Sequence, residues 1–312
     1  KGLFDQAINC YKEAIRINPE YAAAHNNLGN AFDKKGLLDE AISCYKKAIE
    51  IDPEDEMYHC NLGITLEKKD LLDEAIEEYR EALRINPKYA RAHFNLGNAL
   101  YDKGLFDQAI NCYKEAIRIN PEYAAAHNNL GNAFDKKGLL DEAISCYKKA
   151  IEIDPEDEMY HCNLGITLEK KDLLDEAIEE YREALRINPK YARAHFNLGN
   201  ALYEKGLKEA IRINPRYAAA YNNLGNAFDK KGLLDEAISC YKKAIEINPR
   251  YADAHYTLAL ALENKGDLTE AVSQWQTYLE VAKDVPYQKD WIPKAQEHIK
   301  DLEKKIAGNG TE

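Results

Sequence analysis

The sequence predicts an all-α fold, an α-solenoid built of stacked antiparallel helix pairs, on three observations. Proline recurs at positions 19, 53, 87, 121, 155, 189, 215 and 249, in steps of 34 residues broken once by a step of 26, and a fixed period of this size marks a repeat architecture. Inside each period the apolar residues fall at helical spacing in two runs separated by a turn. Residues 1–101 also recur without a change as 103–203, a block of three repeats and 102 residues. Such identity leaves no room for drift and implies a recent duplication or an engineered array.

Positions are counted from the residue after the tyrosine that follows each proline, so Ala22 is position 1 of one unit. Leu28, Gly29, Phe32, Gly36, Ala41, Tyr45, Ala48 and Pro53 then occupy positions 7, 8, 11, 15, 20, 24, 27 and 32. Apolar residues at 7 and 11, then at 20, 24, 27 and 28, predict two amphipathic helices per unit. Gly36 between them is expected in a left-handed turn, and Asp70 and Asp172, which replace it, are tolerable because Asp visits that region more easily than most residues. Asp39 is expected to cap the start of the second helix. Ala41 and Ala48 are small where two helices approach closely, and Tyr45 fills the space between them. Neither helix can bury its stripe alone, so neighbouring units must stack.

The chain divides into a partial unit at 1–21, five units over 22–191, a shortened unit at 192–217, two units over 218–283, and a capping helix with a tail over 284–312. Against 90–123, the shortened unit lacks the segment FDQAINCY, present at 106–113, between Leu207 and Lys208. Eight residues are about two helical turns. A real deletion opens the solenoid and uncovers Leu198 and Tyr203. Because native cores do not tolerate such a void, we expect instead that the molecule holds a stretch the sequence omits at 207/208. Lys1 stands at position 14, so the first unit opens on an uncovered apolar face that is expected to draw self-association through the N-terminal end. In the last unit Trp275 takes the tyrosine slot, Tyr278 takes an alanine slot and Lys283 stands where proline recurs. A closing helix is expected over 290–306, with Asp290 as its cap, Pro293 in its first turn, and Trp291, Ala295, Ile299, Leu302 and Ile306 as its apolar stripe. The residues after it are expected to fray.

The pattern resembles the tetratricopeptide repeat (TPR) family. It matches the small and large residues of that signature at every position except 4, where His25 replaces the usual aromatic, and it covers residues 1 to about 283. The resemblance implies a right-handed superhelix whose inside is lined by positions 2, 5, 6, 9 and 13. Position 6 is Asn27, Asn61, Asn95, Asn129, Asn163, Asn197 and Asn223, and position 9 is Asn30, Asn98, Asn132, Asn200 and Asn226, with Ile64, Ile166 and Leu260 in the other units. Asn in a helix interior is roughly 0.5 kcal/mol or more worse than Ala, so a column of it needs a reason. Its amide donates and accepts at once, which suits the backbone of an extended peptide. The column is similar to the asparagine ladder of the TPR arm of O-GlcNAc transferase. The other reading is that these amides bond neighbouring helices.

Position 5 runs Asn26, Cys60, Phe94, Asn128, Cys162, Phe196, Asn222, Tyr256, and position 2 runs Ala23, Met57, Arg91, Ala125, Met159, Arg193, Ala219, Asp253. The groove is therefore expected to alternate polar, soft apolar and aromatic-cationic patches, with Phe94 and Phe196 choosing side chains. Arg91 with Asn95, and Arg193 with Asn197, could hold a carboxylate. Members that clamp a chaperone's terminal carboxylate carry Lys at position 5, and this chain has none there. The histidines at position 4 are read as core packing. His59 beside Cys60, and His161 beside Cys162, point apart on a helix and make no metal site.

Net charge is −12, from 42 Lys and Arg against 54 Asp and Glu, with 45% hydrophobic residues. This argues against nucleic acid and against insertion into a membrane. Seven Cys without a CxxC pair fit a reducing, cytoplasmic compartment, with the Cys at position 23 as half-buried fillers. No catalytic motif stands out, so neither an enzyme nor a cofactor is expected. The function expected is a scaffold that binds a protein or peptide ligand in extended form along the groove. The alternatives are the substrate-docking arm of a larger enzyme, such as a glycosyltransferase, and a structural or engineered array that self-associates.

Overall fold

The computed structural model describes residues 2–283 and 285–308, and among these it holds seventeen α-helices, one 3-10 turn and no strand. Two compact units are present, Lys1–His195 and Phe196–Glu312. In the first, α1 (Gly2–Ile17) precedes five hairpins: α2 (Ala22–Lys34) with α3 (Leu38–Ile51), α4 (Glu56–Lys68) with α5 (Leu72–Ile85), α6 (Ala90–Asp102) with α7 (Phe106–Ile119), α8 (Ala124–Lys136) with α9 (Leu140–Ile153), and α10 (Glu158–Lys170) with α11 (Leu174–Ile187). The helix α12 (Ala192–Ile213) begins there. The second unit holds the rest of α12, the hairpins α13 (Ala218–Lys230) with α14 (Leu234–Ile247) and α15 (Ala252–Lys265) with α16 (Leu268–Ala282), a 3-10 turn at Pro286–Trp291, and α17 (Ile292–Gly308). Within the units the second helix also packs on the first helix of the next repeat, α1 on α2, α3 on α4, α5 on α6, α7 on α8 and α9 on α10 in the first and α14 on α15 in the second, the stacking expected of a solenoid.

The turn inside each hairpin follows from one residue. Gly36 has φ of 77°, Leu37 N–H donates to Phe32 O at 3.0 Å, and Gly36 N–H donates to Asp33 O at 2.9 Å. These are the paired bonds of a helix end closed by a left-handed residue. Asp70 and Asp172 take the same conformation, with φ of 61° and 63°. Asp39 does not cap α3. Leu37, two residues earlier, stands at the N-cap, and Asp39 sits in the first turn, where its carboxylate pairs with Lys69 of the next repeat. Lys103 with Asp73, Lys137 with Asp107, and Lys171 with Asp141 repeat that link.

Between the two helices the tyrosine of position 24 is buried in the six complete hairpins that carry one, with the alanines at 20 and 27 wholly covered, and in the last hairpin Trp275 and Tyr278 are buried in the slots of the tyrosine and the second alanine. A Cβ built on Gly29 would lie 2.7 Å from Tyr45 Cε1, and one on Gly97 would lie 2.6 Å from Tyr113 Cε1. The glycine at position 8 is therefore a contact surface for a ring, not a helix breaker.

Residues 192–213 fold differently from the other units. They form one continuous helix that runs through the junction at 207/208, so the shortened unit has no hairpin. Gly206, at the position where Gly36 turns, lies inside that helix, and neither it nor Gly199 has anything within 4 Å of an added Cβ. Tyr203 is exposed and Leu198 is half-buried. At the other end, α17 buries Ala295 and Leu302, but Asp290 belongs to the 3-10 turn rather than to a helix cap, and Trp291 is 41% exposed. Local geometry decides this, because the 3-10 turn continues directly into α17 and leaves no separate capping position. The expected fraying falls partly on residues 309–312, outside the described residues.

Two substitutions of the same type should have opposite signs. Gly97→Ala forces a methyl into the Tyr113 ring and should cost about 1–3 kcal/mol. Gly199→Ala meets nothing and should stabilise by about 0.5–1 kcal/mol through helix propensity. Denaturant unfolding of the two variants checks this.

Candidate functional site

The first helices of successive repeats touch one another, α2 with α4, α4 with α6 and α6 with α8 in the first unit, and α13 with α15 in the second. Their shared edge gathers the asparagine column, and the amides in it are extensively bonded within the protein. Asn61 Nδ2 donates to Asn26 Oδ1 at 3.0 Å, and Asn163 repeats the bond to Asn128. Asn129 Nδ2 donates to Asn98 Oδ1 at 2.9 Å, and Asn132 donates to Asn129 at 3.4 Å. Asn95 donates to Cys60 Sγ at 3.5 Å. Asn61, Asn95 and Asn163 are buried; Asn27, Asn30 and Asn200 are exposed; Asn98, Asn129, Asn132, Asn197, Asn223 and Asn226 are half-buried.

Position 9 has a partner that the sequence pattern did not reveal. Tyr45, Tyr113, Tyr147 and Tyr241 each donate a hydroxyl to Asn30, Asn98, Asn132 and Asn226, all at 2.9 Å. A buried phenol must find an acceptor. Where position 9 is Ile, Tyr79 turns to Glu67 and Tyr181 to Glu169, both at 2.5 Å. The visible signal was this pairing of an apolar position 9 with a glutamate at position 12.

Position 5 is not the open surface expected of it. Asn26, Cys60, Asn128, Cys162 and Asn222 are all buried, because the contact between neighbouring first helices runs over them. Phe94 is half-buried on Tyr113 and Tyr123, with ring centroids 6.0 and 4.8 Å away. Phe196 is 69% exposed, because the segment that would supply the equivalent of Tyr113 is absent from its repeat. Arg91 and Arg193 are exposed. Arg193 Nη1 donates to Asn163 Oδ1 of the preceding repeat at 3.1 Å.

Cavities open along this edge in both units. One in the first unit, of about 400 Å3, is lined by Met159, Ile166, Asp135, Lys136, Lys170 and Arg193 among others. One in the second unit, of about 310 Å3, lies among Phe196, Tyr203, Glu204, Asn223 and Lys231. No cluster of His, Cys, Asp and Glu able to hold a metal ion occurs among the described residues. No helix among them is long and apolar enough to cross a membrane. Burial pushes the thiols of Cys44, Cys112, Cys146 and Cys240 up to about 11, so they are poor nucleophiles.

One profile described as TPR repeat matches residues 1–36, 72–104, 97–138 and 174–206. Two described as tetratricopeptide repeat match 22–55, 124–157 and 218–251, and 44–77, 146–179 and 240–273. Together they span 1–206 and 218–273. No curated protein matches the chain significantly. Among solved structures, YrrB, reported as a TPR protein with an unusual peptide-binding site, is 26% identical with a TM-score of 0.50, over 60% of this chain and 96% of its own. MamA is 31% identical at 0.50, over 56% and 96%. MamA from Desulfovibrio magneticus RS-1, at 23% identity and 0.51 over 55% and 97%, is alike in fold alone.

Beneath the edge, the position-4 histidines do more than pack. His25, His93, His127 and His195 each donate from Nε2 to the carbonyl of the proline six residues earlier, at 2.9 to 3.0 Å. His59 and His161 are buried, with Nδ1 2.7 Å from Glu78 and Glu180. Burial opposes their protonation, but the glutamate's hydrogen bond and charge, helped by the proline carbonyl, outweigh it and raise both above 6.5. Only the cation can donate from both ring nitrogens. A raised folded value means that this stabilisation is full below 6.5 and is lost as pH rises through it. The fall in Tm between about pH 6 and pH 8.5 should accordingly be larger for the parent than for the His59→Gln/His161→Gln variant, by differential scanning calorimetry at each pH.

Proposed function

Because the chain belongs to the tetratricopeptide-repeat family, we propose that it is a non-catalytic interaction scaffold that holds an extended segment of a protein partner along the edge formed by its first helices. The observation that carries this reading is the open cavity over α8, α10 and α12, where amides, an exposed Met159 and the Arg193 guanidinium come together. Amides suit a peptide backbone whatever its side chains, and the apolar and cationic groups beside them supply selection. YrrB, alike over most of its own length, is reported with a peptide-binding site, which supports the same use here.

The column divides by what its amides already do. Asn61, Asn95 and Asn163 are buried and hold neighbouring helices in register, while Asn27, Asn30, Asn98, Asn129, Asn132, Asn197, Asn200, Asn223 and Asn226 keep some accessible surface for a ligand. Each amide contact with peptide contributes about 0.5–1.5 kcal/mol net, and ordering the peptide cancels much of the sum, so affinities are micromolar.

Asn27→Ala with Asn129→Ala should weaken a panel of unrelated extended peptides together, by about tenfold, and leave helicity unchanged or slightly raised. Phe196→Ala should affect only some of the panel. Isothermal titration of the folded variants checks this, and an unchanged panel would return these amides to a structural role.

A further inference from the structure

The cavity over α8, α10 and α12 has a charge and a pattern that the groove reading alone does not require. Within it, the Asp135 carboxylate is already held by Lys170 at 2.5 Å and by the Thr167 hydroxyl at 3.1 Å. That leaves Lys136 and Arg193, both exposed, as the cations that face a ligand, in a chain whose net charge is −12. Beside them Met159 is 39% exposed and Ile166 half-buried, a soft apolar floor. Cations over an apolar floor fit an acidic side chain next to an apolar one.

The same set stands 102 residues earlier. Met57, Ile64, Asp33, Lys34, Lys68 and Arg91 occupy the equivalent positions. The internal bonds are reproduced, Lys68 to Asp33 at 2.5 Å and Thr65 to Asp33 at 3.1 Å, and Met57 is 40% exposed. Both sets lie in the compact unit Lys1–His195, so the fold between them sets their separation. The second unit has no third copy, because Asp253 stands where Met159 would be and puts a carboxylate in place of the apolar floor.

We propose that this unit carries two copies of one acid-accepting site, and that its partner is a single protein chain presenting an acidic-apolar motif twice. The inference rests on the reading of the edge as a peptide groove. One small site of this kind is weak, and two at a fixed spacing convert the second contact into an intramolecular one. Linkage of that sort raises affinity by about 10²–10⁴ without any new contact.

The test uses the full chain and synthetic peptides with Asp-Leu-Glu in a Gly/Ser background, carrying the triplet once or twice with linkers of graded length. Titration calorimetry should show two single-motif peptides per chain. The double-motif peptide should bind one to one and, at its best linker length, at least about a hundredfold tighter, with both affinities falling as salt is added. Arg91→Ala or Arg193→Ala should each reduce the single-motif stoichiometry from two to one and abolish the gain of the double motif, while circular dichroism stays at the parent value. Single-motif binding with no gain at any linker length overturns the paired-site proposal and leaves the groove reading standing. Binding of neutral or basic peptides in preference to this one overturns the acidic assignment. Failure of every extended peptide, whatever its charge, removes the groove reading itself.

Discussion

The contact on which the rest depends is an aromatic ring laid on a glycine. In each complete hairpin from Gly29 with Tyr45 to Gly225 with Tyr241, the second-helix tyrosine lies so close to the first helix that no Cβ fits beneath it. That distance, with the fully buried alanines at positions 20 and 27, sets how the two helices pack. It also delivers the phenol hydroxyl to the far edge of the first helix, where an acceptor must meet it. Asn30, Asn98, Asn132 and Asn226 do so in four repeats, Glu67 and Glu169 in two, and in the last hairpin Trp275 donates its indole N–H to Glu263 at 2.5 Å. Part of the polar stripe along the first helices is thus the other end of the core.

Much of this was legible from periodicity. The helix pairs, the left-handed residues at 36, 70 and 172, and the small residues at helix crossings all follow from local geometry that recurs in every unit. What was not legible depends on contacts between units. Cys60 and Asn26 have groove-facing positions on a single helical wheel, yet neighbouring helices bury them. Arg193 reaches back to Asn163 across a repeat boundary, a step no intra-helix spacing indicates. Asp39 looked like a cap because its type and place suit one, but Leu37 had already begun the helix through the glycine turn. The site is accordingly less legible than the fold.

The shortened unit shows the same constraint by its absence. Without the segment that bears the tyrosine, Gly199 has no ring on it, Phe196 is exposed, and Gly206 is helical instead of turning. The ion pair between repeats is rebuilt by another residue. Lys231 stands where Lys137 pairs with Asp107, and since that aspartate has no counterpart here, Lys231 pairs with the buried Glu204. Glu204 is also where the second copy of the block ends, standing in the place of Asp102. Its longer side chain reaches Lys231 from the continuous helix.

The most direct test is to insert the segment found at 106–113 between Leu207 and Lys208 and to measure the effect of Gly199→Ala in both backgrounds by denaturant unfolding. The account predicts a change of sign. The substitution stabilises the present chain, where nothing covers Gly199, and destabilises the extended one, where the restored tyrosine lies on it, as Tyr113 lies on Gly97. The same stabilisation in both backgrounds would contradict the claim that the position-24 ring lies on this glycine whenever the second helix of such a repeat is present.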